Sequence, residues 1–190
     1  MVAVRLWGAI KEMAMRSKLF CSMLLACMVM LAGIYATRTA WATDASGFTG
    51  STLFTATWDE FNVFNKQIIP ASETSGPASV WLSQQKTKGK SDVYVQSNKW
   101  LPGATTGWHT HPGHSLIYIT SGAVTVYHSD CSQHIYTAGM TFVDEGGDHI
   151  HVIRNDSGTE NATGYAIQII PHGAQRRIGV NAPAACSTIQ

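Results

Sequence analysis

The sequence predicts one all-β domain, a sandwich or barrel of short strands, behind an N-terminal export segment. Three observations carry that reading. From Asp92 to Pro171 short alternating segments follow one another closely: DVYVQS, WHTH, SLIYIT, AVTVYH, HIHVIRN and GYAIQIIP. Alternation of apolar and polar residues is the period of a half-buried strand. The segments are separated by turn residues, among them Ser121-Gly122, Gly139 and the run NDSGTEN. No convincing helix interrupts them, and many short strands without helix pack as a sandwich or a barrel.

The elements follow in order. Arg16 and Lys18 precede an uncharged run over 19–36, which ends before Ala40-Trp41-Ala42. A basic stretch, an apolar stretch and a small-x-small site describe a secretory signal peptide over 1–42, with Thr43 as the first mature residue. A retained membrane anchor is the alternative, because the run is nearly long enough to span a bilayer. Leu24-Leu25-Ala26-Cys27 has the form of a lipoprotein cleavage box, but the apolar run continues well past Cys27. The expected location is therefore periplasmic or extracellular.

Residues 43–91 read as an N-terminal arm with edge strands. Thr57-Trp58-Asp59-Glu60 resembles a capping box, yet the following FNVFNKQII is poor helix material. PASETSGPAS over 70–79 is a loop, and the lysines between Lys86 and Lys90 belong to a solvated one. Residues 92–190 form the barrel core and a C-terminal tail. Within it, SLIYIT and AVTVYH flank Ser121-Gly122 as a short hairpin would.

The formal net charge of the chain is +1. That balance gives no support to nucleic acid or an anionic membrane as a partner, so no membrane contact is expected beyond the signal segment. Cys21 and Cys27 leave with the signal, whereas Cys131 and Cys186 stay. Two cysteines in an exported domain most simply form a disulfide, and a loop of this length contributes about 4 kcal/mol in the chain-entropy picture. A metal role for the pair lacks ligand-like spacing, although Cys131 stands three residues from His134.

All eight histidines fall between 109 and 172, five of them in the groups His109/His111/His114 and His149/His151. On a strand, residues two apart point to one face, so each H-x-H pair presents two imidazoles together. Neutral imidazole suits Zn, Cu, Fe and Ni. One H-x-H is explained as well by an exposed polar face; two pairs about forty residues apart argue for a shared metal site. His128, His134 and His172 stand alone and read as surface or hydrogen-bonded residues, and Trp100 and Trp108 as packing. His114 and Ser115 are adjacent and would face opposite sides of a strand, which argues against a hydrolytic pair.

These residues also carry a resemblance. The spacing is similar to the two motifs of the cupin superfamily, and more narrowly to small exported bacterial single-domain cupins of unassigned function. The first motif falls on Gly103, His109, His111 and Gly122, with Ser115 where a Glu is expected. The second falls on Gly139, Glu145, Gly147, His151 and Asn155, with Glu145 in a Pro position and one extra residue before His151. The resemblance implies a cupin-type barrel, the double-stranded β-helix or jelly roll. It implies one divalent ion (Fe, Mn, Zn, Ni or Cu) on His109, His111 and His151, with His149 in reserve and Glu145 or Asp148 as a loop carboxylate. His114 and Ser115 would then stand at the entrance or behind the ligands. A three-His centre implies a metal-dependent oxidoreductase, dioxygenase-like, acting on a small organic molecule. The alternative is a non-enzymatic module of the cell envelope that holds a small ligand or metal. Whether the chain forms a homodimer is left open.

Overall fold

The computed structural model describes residues 42–73 and 79–189. The signal segment expected over 1–42 lies outside the described residues except for its last position. Twelve strands make up the described chain: β1 (Ser46–Trp58), β2 (Asn62–Ile69), β3 (Ser79–Lys86), β4 (Ser91–Thr105), β5 (His109–Thr110), β6 (Ser115–Ser121), β7 (Ala123–His128), β8 (Gln133–Thr137), β9 (Thr141–Asp144), β10 (His151–Arg154), β11 (Ala162–Pro171) and β12 (Ile178–Gly179). Among the described residues helix is confined to single 3-10 turns at Ala71–Glu73 and Ala184–Cys186. The protein is all-β, as the alternating segments require.

Ten strands share one sheet that curls into a nearly closed barrel. One wall runs β1-β4-β11-β6-β9 and the other β8-β7-β10-β5-β12, joined where Thr105 of β4 meets Arg154 of β10. β1 pairs with β4 along most of its length, so the first strand of the N-terminal arm is part of the barrel wall. β2 and β3 pair with each other as a separate ribbon, and the region doubtful as helix is strand.

One expectation fails. β6 and β7 flank Gly122 but are not a hairpin: β6 pairs with β9 and β11, and β7 with β8 and β10. The turn carries the chain from one wall to the other. Gly122 has φ 68°, and a Cβ there would lie 2.3 Å from the Asn161 carbonyl, so the corner demands glycine. Local turn chemistry is the same for a hairpin and a corner; only the partners of the two strands distinguish them.

The alternation sorts side chains inside and out. β11 buries Ala162, Ala166, Gln168 and Ile170 and exposes Tyr165 and Ile167. Trp100, Ile117, Ile119, Val124, Val126 and Ile153 fill the barrel. A second cluster of Trp108, Val152 and Cys186 seals the β5–β10 wall under the C-terminal tail, where Trp108 Nε1 donates to the Ile189 carbonyl at 2.7 Å. The Cys131–Cys186 disulfide, with its Cα atoms 5.5 Å apart, pins that tail. Asn155 locks the end of β10: it is 1 % exposed, and its amide nitrogen reaches the carbonyls of Trp100, Leu101 and Glu160.

Candidate metal centre

Four side chains from both walls meet in a mostly buried cluster. His109 of β5 lies directly across from His151 of β10, and directly opposed residues on adjacent strands share a face. On the other wall Ser115 of β6 lies directly across from Asp144, the last residue of β9. His111 follows β5 in a loop. One donor atom from each of His109, His111, Asp144 and His151 lies within 4.8 Å of the others.

The loops hold this arrangement by close backbone contact. Gly147 N–H donates to the His111 carbonyl at 2.7 Å, and Thr110 Oγ1 donates to the Gly147 carbonyl at 2.6 Å. Gly146 has φ 69°, and a Cβ there would stand 2.1 Å from the Gly113 carbonyl. The Gly146-Gly147 pair therefore lets the loop after Asp144 lie against the loop carrying His111. Gly146 N–H also donates to Asp144 Oδ1 at 3.1 Å, which turns Oδ2 toward the imidazoles.

The proton positions follow from the carbonyls. His109 Nδ1 is 2.8 Å from the Gly107 carbonyl, His111 Nδ1 2.5 Å from that of Arg176, and His151 Nδ1 3.5 Å from that of His149. A carbonyl only accepts, so each Nδ1 carries the hydrogen and each neutral ring keeps its lone pair on Nε2. Gln168 Nε2 also lies 2.9 Å from His111 Nδ1, but the shorter carbonyl contact decides the tautomer. Asp144 Oδ2 faces His111 Nε2 at 3.0 Å and His151 Nε2 at 3.4 Å. The His151 Nε2 atom is buried and makes no aligned hydrogen bond. Lone pairs and a carboxylate turned on one point need a cation or a proton between them. A carbonyl behind each imidazole is also how ligating histidines are oriented. The residues present fit a divalent ion.

Electrostatics agrees. Burial pushes His109 well below its ordinary range, and the neighbouring His151 and His111 rings push it further. Burial lowers His151 too, with Asp144 opposing. Burial raises the Asp144 carboxyl, but the close contact with His111 and the fields of the three imidazoles outweigh it, and it stays below the usual value. A neutral His109 and His151 and an ionised Asp144 are the forms that ligate.

Other expected residues are elsewhere. His149 does not reach the centre: it precedes β10 in a loop, its side chain is 68 % exposed, and its Nε2 pairs with Glu145 at 2.9 Å. The same-face argument fails because it needs both residues on the strand. Glu145 is turned outward in that pair and Asp148 is exposed, so neither supplies the carboxylate. His114 is half-buried outside the cluster, and Ser115 is 3 % exposed and lines the cavity. His134 packs on Tyr136, and His172 bonds Asp92 at 2.8 Å. The residue missed is Asp144. A carboxylate stands one strand over from Ser115, and β9 ends on it in TFVD, a pattern that does not reveal its partner.

Three of the donors, His109, His111 and Asp144, line a cavity of about 240 Å³. Phe48, Trp100, Ile117 and Ile153 form apolar walls, while Gln96, Asn98, Gln168, Arg176 and Arg177 add polar groups.

Residues 99–167 match the family model described as a cupin domain. These residues are a cupin domain. The comparison with curated proteins finds no match. Among solved structures, the cupin resembles the polyketide cyclase RemF from Streptomyces resistomycificus, at 12% identity over 78% of this chain and 83% of that one, with TM-score 0.45. It also resembles a predicted oxalate decarboxylase from Thermotoga maritima, at 21% identity over 44% and 83%, TM-score 0.36. A cupin domain from Bordetella pertussis matches at 19% identity over 57% and 92%, TM-score 0.36. In this cupin both motifs meet at the centre, His109 and His111 from the first, His151 from the second.

Proposed function

We propose that this protein is an exported, metal-dependent cupin that binds a small organic molecule beside a three-His, one-Asp centre and acts on it as an oxidoreductase. The observation that carries the reading is the set of three imidazoles, each with Nδ1 on a backbone carbonyl and Nε2 turned toward Asp144, at the mouth of a cavity of small-molecule size. The Cys131–Cys186 disulfide supports an oxidising compartment. A bound divalent ion would supply Lewis acidity and, if redox-active, electron transfer or O₂ chemistry.

The chain's own residues do the rest. The Gly107, Arg176 and His149 carbonyls orient the ligands. Gly146 N–H holds Asp144. Phe48, Trp100 and Ile153 exclude water from the cavity and give an organic ligand apolar contact. Asp144 also changes what the resemblance implies. The three-His set without a carboxylate, which pointed toward dioxygenases, becomes a three-His set with one.

The test is metal analysis of protein purified without a histidine tag, followed by O₂-uptake and turnover assays on thiol, diketone and sugar panels. About one ion per chain, lost in His109→Ala/His111→Ala, supports the centre. Unchanged metal content in that variant refutes it. Bound metal with no turnover on any panel favours the second reading, a binding module, which the small cavity and fully engaged Asp144 also suit.

A further inference from the structure

The outer face of the β11-β6-β9 wall is not built for water. β6 reads SLIYITS and β11 reads ATGYAIQIIP, apolar on both faces rather than on one. An antiparallel strand that meets water alternates with polar residues, and a strand apolar on both sides is covered on both. The register gathers the outward residues into one patch. Tyr165 of β11 stands opposite Tyr118 of β6, Ile167 opposite Leu116, and Leu116 opposite Val143 of β9. All five are between 43 % and 56 % exposed and line a shallow groove of about 470 Å³. The outward positions of these three strands hold no charged residue.

A second unpartnered surface lies on the β2–β3 ribbon. Cross-strand pairing puts Phe64, Lys66 and Ile68 of β2 on one face with Gln84, Leu82 and Val80 of β3. Phe64, Ile68, Val80 and Leu82 are between 58 % and 72 % exposed. The ribbon continues the β1–β4 pair, since Trp58 faces Ser91 and, a few residues on, Asn62 faces Lys86. At the junction Thr87 N–H donates to the Phe61 carbonyl at 2.9 Å and Gly89 N–H to Glu60 Oε2 at 2.8 Å. The ribbon thus leaves its own barrel as an arm, exposed on both faces along almost its whole length. A lone two-stranded ribbon is marginal in water at best, so this apolar face calls for a surface to lie on.

We infer that a second copy of this chain covers both surfaces: two copies pair about a two-fold axis, and each lays the apolar face of its arm in the groove of the other. The inference is independent of the metal centre. Size decides the occupant. Eight residue pairs make an arm face about 26 Å long and about 10 Å wide. One such face on a barrel buries about 500 Å² counting both partners, the size of a casual contact, whereas two reach about 1,000 Å², where specific interfaces begin. A chain that carries both halves makes both contacts at once with its own copy, and the pair closes with neither surface left bare. A partner of any other kind would cover one surface and leave the other.

The experiment is sedimentation velocity of the purified protein over a range of concentrations. The expected result is a reversible dimer that is the main species at about 100 μM. Ile68→Asp on the arm and Leu116→Asp in the groove each bury a lone charge twice in the symmetric pair. Each should raise the dimer Kd at least about a hundredfold and leave the far-UV circular dichroism unchanged. A photoreactive p-benzoylphenylalanine in place of Phe64 then locates the contact. Irradiation should join two chains, with the arm attached to residues 115–121, 141–144 or 162–171. A monomer at every concentration overturns the inference, as does a dimer that both aspartates leave intact. A cross-link that closes within one chain overturns it too, because the arm would then fold back on its own barrel. A monomer that floats with phosphatidylcholine vesicles assigns the apolar surfaces to lipid and overturns it likewise. If an aspartate variant does not fold, the cross-link decides.

Discussion

Replacing Asp144 with Asn separates charge from shape at the centre. The amide keeps the volume and one oxygen, but removes the negative charge set 3.0 Å from His111 Nε2 and 3.4 Å from His151 Nε2. Imidazole brings no negative charge, so the variant loses the opposing charge that these four donors offer a cation. Partners outside the coordination sphere alter metal affinity about 10–100-fold, and a direct carboxylate donor should sit at least at the upper end, about 100-fold or 2.7 kcal/mol. An ion at about 100 times its Kd stabilises the fold by about 2.7 kcal/mol; after a hundredfold loss the same concentration contributes about 0.4 kcal/mol. For a domain of this size, each kcal/mol moves Tm by about 2–4 °C. The metal-induced rise should therefore shrink from about 5–11 °C to about 1–2 °C. Thermal unfolding with and without a fixed metal concentration, alongside metal analysis, reads this directly. Ser115 lies across from Asp144 on the same face, so Ser115→Glu in the Asp144→Asn background should restore most of the rise. An unchanged metal-induced rise in Asp144→Asn would refute the four-donor centre.

Other predictions address the frame. The disulfide closes a loop of sequence separation 55, worth about 4 kcal/mol, so reduction or Cys131→Ala/Cys186→Ala should lower Tm by about 8–16 °C in calorimetry. Asn155→Ala leaves three carbonyls without their amide donor and should cost about 3 kcal/mol in urea unfolding. Asp92 accepts hydrogen bonds from Gly173 N–H, His172 and Thr57, which hold its carboxyl down from 3.8 to about 2. A depressed carboxyl stabilises the fold above the unfolded value and loses that contribution as pH falls through the folded one. The urea midpoint should therefore drop between about pH 4 and pH 2 in the wild type, and Asp92→Asn should remove that step.

The sequence by itself determined the all-β class, the strand positions from Asp92 to Pro171 and the histidines of both motifs. These are local properties: alternation reports which face a side chain takes, and Gly spacing reports where a chain can turn. Tertiary structure decided which strands pair. The Ser121-Gly122 turn is locally a hairpin turn and in fact a corner, because β6 finds β9 and β11 while β7 finds β8 and β10. Pairing also decided the ligand set. His149 shares spacing with His151 but not its strand, so it turns out to Glu145. Asp144 enters because the β6–β9 register sets it opposite Ser115, a sequence separation of 29 that no local pattern reads. Trp100 of β4 and Arg177, just before β12, line the same cavity from distant parts of the sequence. Face is written in neighbours two residues apart, whereas register is a contact between distant segments and exists only once the sheet has closed.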